Sequence, residues 1–170
     1  AALKDITVIP GETLYVTVDN LSKELNLEKR RLYEAYAKYA PYSDGVIVPE
    51  TYRVPLGISE DHLMYYLVNN SLKLHRSLSE RILGRYDEKQ WFKYVTIASI
   101  IQKEAANNEE MPLVSAVIYN RLKANMPLQM DGTLNYGEFS NRRVTPERIR
   151  EDNSSFNTYK NRGLPSYPVC

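Results

Sequence analysis

Glu104 is the residue of this sequence whose type and setting best suit acid–base chemistry. It closes a stretch that is apolar almost all round: Trp91, Phe92, Tyr94, Val95, Ile97, Ala98, Ile100, Ile101 and, just beyond, Ala105. That pattern predicts a buried helix from about Glu88 to Ala106. At 3.6 residues per turn, Glu104 falls on the face of Ile97 and Ile100, while Thr96, Ser99 and Lys103 fill the most polar sector. A carboxylate buried there must be paired or neutral. Desolvation favours the protonated form, the state a general acid needs. The competing and commoner outcome is an acid at a helix end that reaches solvent or pairs with an arginine.

Downstream, NMPLQMDGTLNYG (Asn125 to Gly137) sets polar side chains among turn residues, a loop or short strand of the kind that carries binding groups. Gln129, Asp131, Thr133 and Tyr136 could face Glu104 from it. A hydrolase with two carboxylates needs a second acid at a defined distance. Asp131 and Glu138 are the candidates. One acid suffices if the substrate supplies its own nucleophile. Other chemistries lack their residues: there is no glycine-rich nucleotide loop, no HExxH and no GxSxG. The two histidines, His62 and His75, are not at a metal-binding spacing and are expected on a helix surface. The single cysteine, Cys170, excludes an internal disulfide and a cysteine metal site. No metal and no cofactor is therefore expected.

Composition sets the frame. The chain has 170 residues, enough for one medium or two small domains, and 43% are hydrophobic against 25% charged, which suits a globular protein with a sizeable core. A net charge of +1 gives no electrostatic case for nucleic acid or an anionic membrane. Aromatic residues are mainly tyrosine, 14 against 3 Phe and 1 Trp, and tyrosine suits half-wet surfaces that include grooves for sugars. No signal peptide and no apolar run of about 18 residues is present. The protein is soluble as given, or its leader or anchor lies outside this sequence.

The elements that must position these residues read as an α+β protein. ITVIP and LYVTV flank Pro10-Gly11 and predict a short strand pair. Helices follow over Asn20 to Leu25 and about Glu28 to Tyr39. SKELNLEKRRLYEAY has a helix-turn-helix look, but its Lys and Arg are largely offset by Glu, which argues against DNA. Val46 to Val48 reads as a strand and Thr51 to Val54 as a second extended piece. Ser59 begins a long helix that Gly84 ends, with Leu63, Tyr66, Leu67, Leu74 and Leu78 on its apolar face. A further helix starts near Glu109 and buries Val114, Val117, Ile118 and Leu122. Thr145-Pro146-Glu147 opens a short helix, and the tail has little regular structure.

Several ordered motifs carry a resemblance. IASIIQKEA, VSAVIYNRLKANMPLQMDGTLNYG, VPETYRVPLG and FNTYKNRGLP resemble the MltG or YceG-like family of endolytic murein transglycosylases, over about Gly45 to Pro165. The first 43 residues resemble that family's LysM-like module. The resemblance implies residues 1–43 as a LysM-like module and 44–170 as a mainly helical catalytic domain with short strands. Family members usually continue past the PVC end, which implies a domain truncated at its C-terminus, and they carry a membrane anchor that is absent here. The family's E-K-E reads Gln102-Lys103-Glu104, which leaves Glu104 as the acid. Its D-P-T reads Asp131-Gly132-Thr133, which implies a more flexible loop.

What the resemblance implies is non-hydrolytic cleavage of the MurNAc-GlcNAc β-1,4 bond within peptidoglycan glycan strands, with Glu104 as general acid and then base. Gln129, Asp131, Thr133 and Tyr136 would bind sugar or orient Glu104, and Asn120 and Arg121 would order the loop or merely cap a helix. Asn157 and Tyr159 would line the same groove, with plain turn packing the even alternative. The implied place is the cell envelope, on the outer face of the bacterial cytoplasmic membrane, with peptidoglycan synthases as candidate partners. The second hypothesis is a non-catalytic wall-binding or scaffold module; the third, DNA binding through residues 20–40, has least support.

Overall fold

The computed structural model describes residues 2–170. The chain divides into two compact units, Ala1–Asp87 and Glu88–Cys170. Architecture is mainly helical with one two-stranded sheet, in keeping with α+β.

In the first unit, strand β1 (Leu3–Thr7) pairs antiparallel with β2 (Thr51–Pro55), with Leu3 opposite Pro55 and Thr7 opposite Thr51. Successive side chains alternate faces. Ile6, Tyr52 and Val54 go inward, while Asp5–Arg53 and Thr7–Thr51 bond across the outer face, each at 3.0 Å. Because β1 finds its partner in β2, this sheet crosses residue 43 and the boundary expected there does not close it. The strand expected over LYVTV is instead the start of helix α1 (Leu14–Leu25), which buries Thr17, Val18 and Leu21. Tertiary contacts override the β-branched propensity here. The Leu14 N–H, an orphan donor at the helix start, is taken by Asp44 Oδ2 at 3.0 Å. Helix α2 (Lys29–Tyr39) lies where the pattern predicts it.

Helix α3 (Glu60–Leu83) runs from the Ser59 cap, whose side chain accepts from the His62 N–H, to Gly84 in the left-handed region at φ 77°. Its buried face differs from the expected one. Tyr66 and Leu74 are exposed, and Met64, Ser71, His75 and Ser79 are buried. The reason is the irregular backbone that packs on it. Val48 N–H donates to Ser71 Oγ at 3.0 Å, His75 Nε2 lies 3.0 Å from the Val46 carbonyl, and Ser79 Oγ donates to the Arg85 carbonyl at 2.6 Å. Val46 to Val48 is therefore no strand: a helix side satisfies its backbone. His75, expected at the surface, is an interior residue.

In the second unit, helix α4 (Glu88–Glu104) ends two residues short of the expected bound. It is buried on one face only. Thr96 and Ser99, expected outward, point inward, because each hydroxyl donates back to its own helix, at Phe92 O and Thr96 O, both 2.7 Å. Ser99 Oγ also accepts the Val169 N–H at 2.9 Å, which docks the last residues. Tyr94, Ala98 and Gln102 face solvent. Helix α5 (Met111–Lys123) buries Ile118 fully and Val114 and Leu122 in part, while Val117 is exposed. The core joins Ile97 and Ile100 to Ile118, Leu128, Met130, Phe156 and Val169. The short helix α6 (Pro146–Glu151) is capped by Thr145, whose Oγ1 accepts the Arg148 N–H at 3.2 Å. Among the described residues, no helix is long and apolar enough to cross a membrane.

Burial holds the His75 pKa below its ordinary value, only partly opposed by its bond to the Val46 carbonyl. The folded state then binds fewer protons than the unfolded one as pH falls below about 6.5. Its contribution to stability is present above that pH and is lost below it. His75→Gln keeps a donor for Val46 and removes the titration. Urea unfolding at about pH 7 and pH 5 should show a smaller loss of stability in the variant than in the wild type; equal losses would contradict this account.

Candidate active site

Glu104 is the last residue of α4, and a helix C-terminus has no free N–H to offer its carboxylate. The donor comes from another segment: the Gly132 N–H reaches Glu104 Oε2 at 3.0 Å. Gly132 belongs to a 3-10 turn, Asp131–Leu134, seated on the last turn of α4. Glu104 is exposed, so the burial expected of it is not found. The commoner alternative, an acid that reaches solvent at a helix end, describes its exposure correctly.

The seat of that turn is built residue by residue. Leu128 and Met130 go into the core and Gln129 between them goes out, with Gln129 at φ 52° in the left-handed region. That conformation is strained for a side chain other than glycine or asparagine. It is held by main-chain bonds: the Gln129 N–H donates to the Thr158 carbonyl at 3.1 Å, and the Met130 N–H to Thr158 Oγ1 at 3.0 Å. Arg121 Nη1 donates to the Leu128 carbonyl, so Arg121 does order the loop. Thr133 Oγ1 donates to the Met130 carbonyl at 2.8 Å and lies 2.9 Å from Thr158 Oγ1.

Of the residues expected to touch sugar, the structure brings Asp131 and Tyr159 together. The Tyr159 hydroxyl donates to Asp131 Oδ1 at 2.5 Å. Its pKa is pushed up to about 12, first by burial, then by the Asp131 carboxylate and by Glu104, with Arg121 opposing. Tyr159 thus stays a proton donor near neutral pH. It also ties Glu104, Asp131 and Arg121 into one electrostatic neighbourhood. Gln129 is exposed beside them in sequence.

Thr133, Tyr136 and Asn157 are placed differently. Thr133 and Asn157 are fully buried and present no side-chain surface to solvent. Asn157 Nδ2 donates to the Ile149 and Asp152 carbonyls at 2.7 and 2.8 Å, and its Oδ1 accepts the Tyr159 N–H at 3.2 Å. It therefore holds the turn that presents Tyr159. Tyr136 is half-buried: its ring stacks on Phe156, centroids 4.4 Å apart, and its hydroxyl donates to Asp152 Oδ2 at 2.9 Å. These three are the frame of the site. Gly132, expected to loosen the loop, is buried and tightly packed.

Sequence reading missed the Gly132 N–H and Thr158. Nothing marks a main-chain donor in a sequence, and Thr158 looks like any turn threonine until Thr133 is found beside it. Among the described residues, no group of three or more His, Cys, Asp or Glu is placed to hold a metal ion.

The chain is similar to three proteins in ways that bear on this site. An endolytic murein transglycosylase of Streptococcus pneumoniae (strain ATCC BAA-255 / R6) is 30% identical over 84% of the chain, which spans 26% of that protein. A protein of the same name from Bacillus subtilis (strain 168) is 39% identical over 46% of the chain and 22% of its own length. A crystal structure of a yceG-like protein from Listeria monocytogenes superposes with a TM-score of 0.81 at 26% identity, covering 99% of this chain and 63% of that one. The chain thus spans about a quarter of the curated relatives it matches. The model of the YceG-like family matches residues 1–170, the whole chain: it belongs to the YceG-like family.

Proposed function

We propose that this chain carries the catalytic acid of an endolytic peptidoglycan lytic transglycosylase. The observation that carries the reading is the state of Glu104: an exposed carboxylate with Oε2 fixed by a main-chain donor and Oε1 without a hydrogen bond among the described residues. An acid held at one oxygen and open at the other is oriented for proton transfer. The names of the pneumococcal and Bacillus relatives support murein as the substrate class.

The chemistry balances without water. Protonated Glu104 gives its proton to the glycosidic oxygen as the bond from MurNAc C1 breaks, releasing GlcNAc with a free 4-hydroxyl. The Glu104 carboxylate then takes the proton of the MurNAc C6 hydroxyl. That oxygen bonds to C1, closing a 1,6-anhydro ring and restoring the acid. The substrate supplies the nucleophile, so Asp131, engaged by Tyr159, need not act as one. Gln129, Asp131 and Tyr159 are the side chains offered to glycan, with Thr133, Tyr136 and Asn157 behind them. All lie in the second unit, so the reaction belongs there. The strand–helix–helix–strand order of residues 3–55, ahead of α3, supports a LysM-like module at the start of the chain that extends past residue 43. The reading implies no metal or cofactor, a place at the outer face of the cytoplasmic membrane, and synthases of the same polymer as working partners.

Digestion of intact glycan strands followed by mass spectrometry tests the reaction. Anhydro ends are expected; ends heavier by one water would sink the mechanism in favour of a hydrolase. Glu104→Gln should lower turnover by about 10²- to 10⁴-fold, the usual worth of a general acid. Sedimentation with cell-wall sacculi should persist in that variant. Wild-type protein that sediments but releases nothing would point instead to a non-catalytic binding module.

Tyr159→Phe removes the hydroxyl that engages Asp131 and keeps the ring. One hydrogen bond to a charged group is worth about 1.5–3 kcal/mol, so turnover should fall by roughly tenfold or more, and less than in Glu104→Gln. Turnover equal to wild type would remove the pair from the site.

A further inference from the structure

Two guanidiniums stand near the candidate site with no acid to answer them. Arg142 and Arg143 are exposed, and among the described residues neither is in an ion pair or donates a side-chain hydrogen bond. The arginines that follow on α6 are engaged: Arg148 pairs with Asp152 at 3.4 Å and Arg150 with Glu147 at 3.6 Å. The Arg142 guanidinium lies by the Phe139 ring, with Cζ 5.8 Å from its centre. An aromatic face steadies a guanidinium and leaves the N–H donors at its edge open.

The segment that carries the two arginines is tied to the surroundings of Glu104 from two directions. Lys103, one residue before Glu104, donates from Nζ to the Ser140 carbonyl and hydroxyl at 3.3 and 3.2 Å. Asn135, one residue after the turn that carries Asp131, donates from Nδ2 to the Phe139 and Arg142 carbonyls at 3.1 and 2.7 Å. The Arg142 N–H closes a tight turn on the Phe139 carbonyl at 3.1 Å. Phe139 packs edge-on against Tyr136, centroids 5.5 Å apart. The main chain at Arg142 is thereby fixed beside the turn that faces the acid.

Charge gives the pair a task. Glu104 and Asp131 are exposed acids, and when ionised they repel an anionic substrate. Glycan of the proposed class is anionic at the sugar that is cut, because the lactyl group of MurNAc carries a short peptide with free carboxylates. A stem of about five residues reaches about 18 Å at full extension, enough to leave the sugar and meet a flanking segment. We propose that Arg142 and Arg143 form a subsite for the carboxylates of this stem peptide, so that the protein selects acidic, peptide-bearing strands over neutral ones. The inference rests on the lytic transglycosylase reading. A planar guanidinium takes a carboxylate through two parallel N–H donors. The stem does not react, so the contact is equally strong before and during bond cleavage and is expressed in KM rather than kcat.

The test compares glycan strands that carry their stem peptides with the same strands after conversion of the stem carboxylates to carboxamides, with anhydro ends quantified. Wild-type KM should be about tenfold lower on the acidic strands, and added salt should shrink the difference. Arg142→Ala combined with Arg143→Ala should raise KM about tenfold on the acidic strands, leave kcat little changed, and change nothing on the neutral ones. The unchanged kcat also reports an intact fold. Lysine at both positions should recover part of the loss. Lys89→Ala removes a positive charge at the far end of α4, about 22 Å along the helix from Glu104, and should behave as wild type. Equal wild-type KM on the two kinds of strand, a comparison that needs no variant, would overturn the proposal, as would equal losses from the arginine pair on both. Strand affinities of the Glu104→Gln protein read the same preference without turnover. A preference kept there while wild type releases no anhydro ends would leave the subsite standing and overturn the catalytic reading.

Discussion

A pair of buried threonine hydroxyls holds the candidate site together. Thr133 and Thr158 are each fully buried, stand 2.9 Å apart, and share the Met130 main chain between them. In a dry setting such bonds are stronger than in water, and each hydroxyl is costly to leave unmade. The pair joins two segments far apart in sequence, the 3-10 turn after α5 and the irregular tail. Everything that meets solvent at the site hangs from this joint: Asp131 and Gly132 on one side, Tyr159 on the other, and through Gly132 the carboxylate of Glu104. The polar core here is a small network in which every member has a partner.

The first unit uses the same device for a different end. Helix α3 turns Ser71, His75 and Ser79 inward, and their side chains meet the main chain of residues 46, 48 and 85. Irregular backbone cannot be buried unless something answers its N–H and C=O groups. In both units buried polar side chains do so. The result is precise placement of segments that have no regular structure of their own, such as the run from α2 to β2 and the tail that meets the turn at Gly132.

Exposure of Glu104 changes the physical account of its role. Burial would have acted on the acid through desolvation; exposed, it is set by orientation. One main-chain donor sets the carboxylate, and the Glu104 charge, after that of Asp131, helps hold up the pKa of the Tyr159 hydroxyl. Orientation of this kind depends on a rigid seat. Gln129 keeps its strained backbone at φ 52° because Leu128 and Met130 on either side are locked in the core.

The long helices and the residues that bound them were legible in the sequence. Ser59 and Gly84 bound α3, Pro112 opens α5, and Thr145-Pro146 opens α6, because caps act over a few residues and leave a local trace. The motifs around Glu104, Asp131 and Tyr159 lie on segments that the fold brings near one another. Which faces those helices bury was not legible: Thr96, Ser99 and His75 look polar along the chain, and only the partners found in the fold make them interior. LYVTV reads as a strand by propensity and is a helix whose first N–H Asp44 answers and whose Thr17, Val18 and Leu21 are buried. Thr133 reads as a sugar ligand or a residue that orients Glu104, and Asn157 as a groove residue or plain turn packing; both are fully buried, since burial belongs to a neighbourhood and never to a residue alone. Sequence set which residue types were available, through rules that reach one helical turn. Tertiary structure decided the rest, because a main-chain N–H such as that of Gly132 acquires its meaning only from what is folded against it.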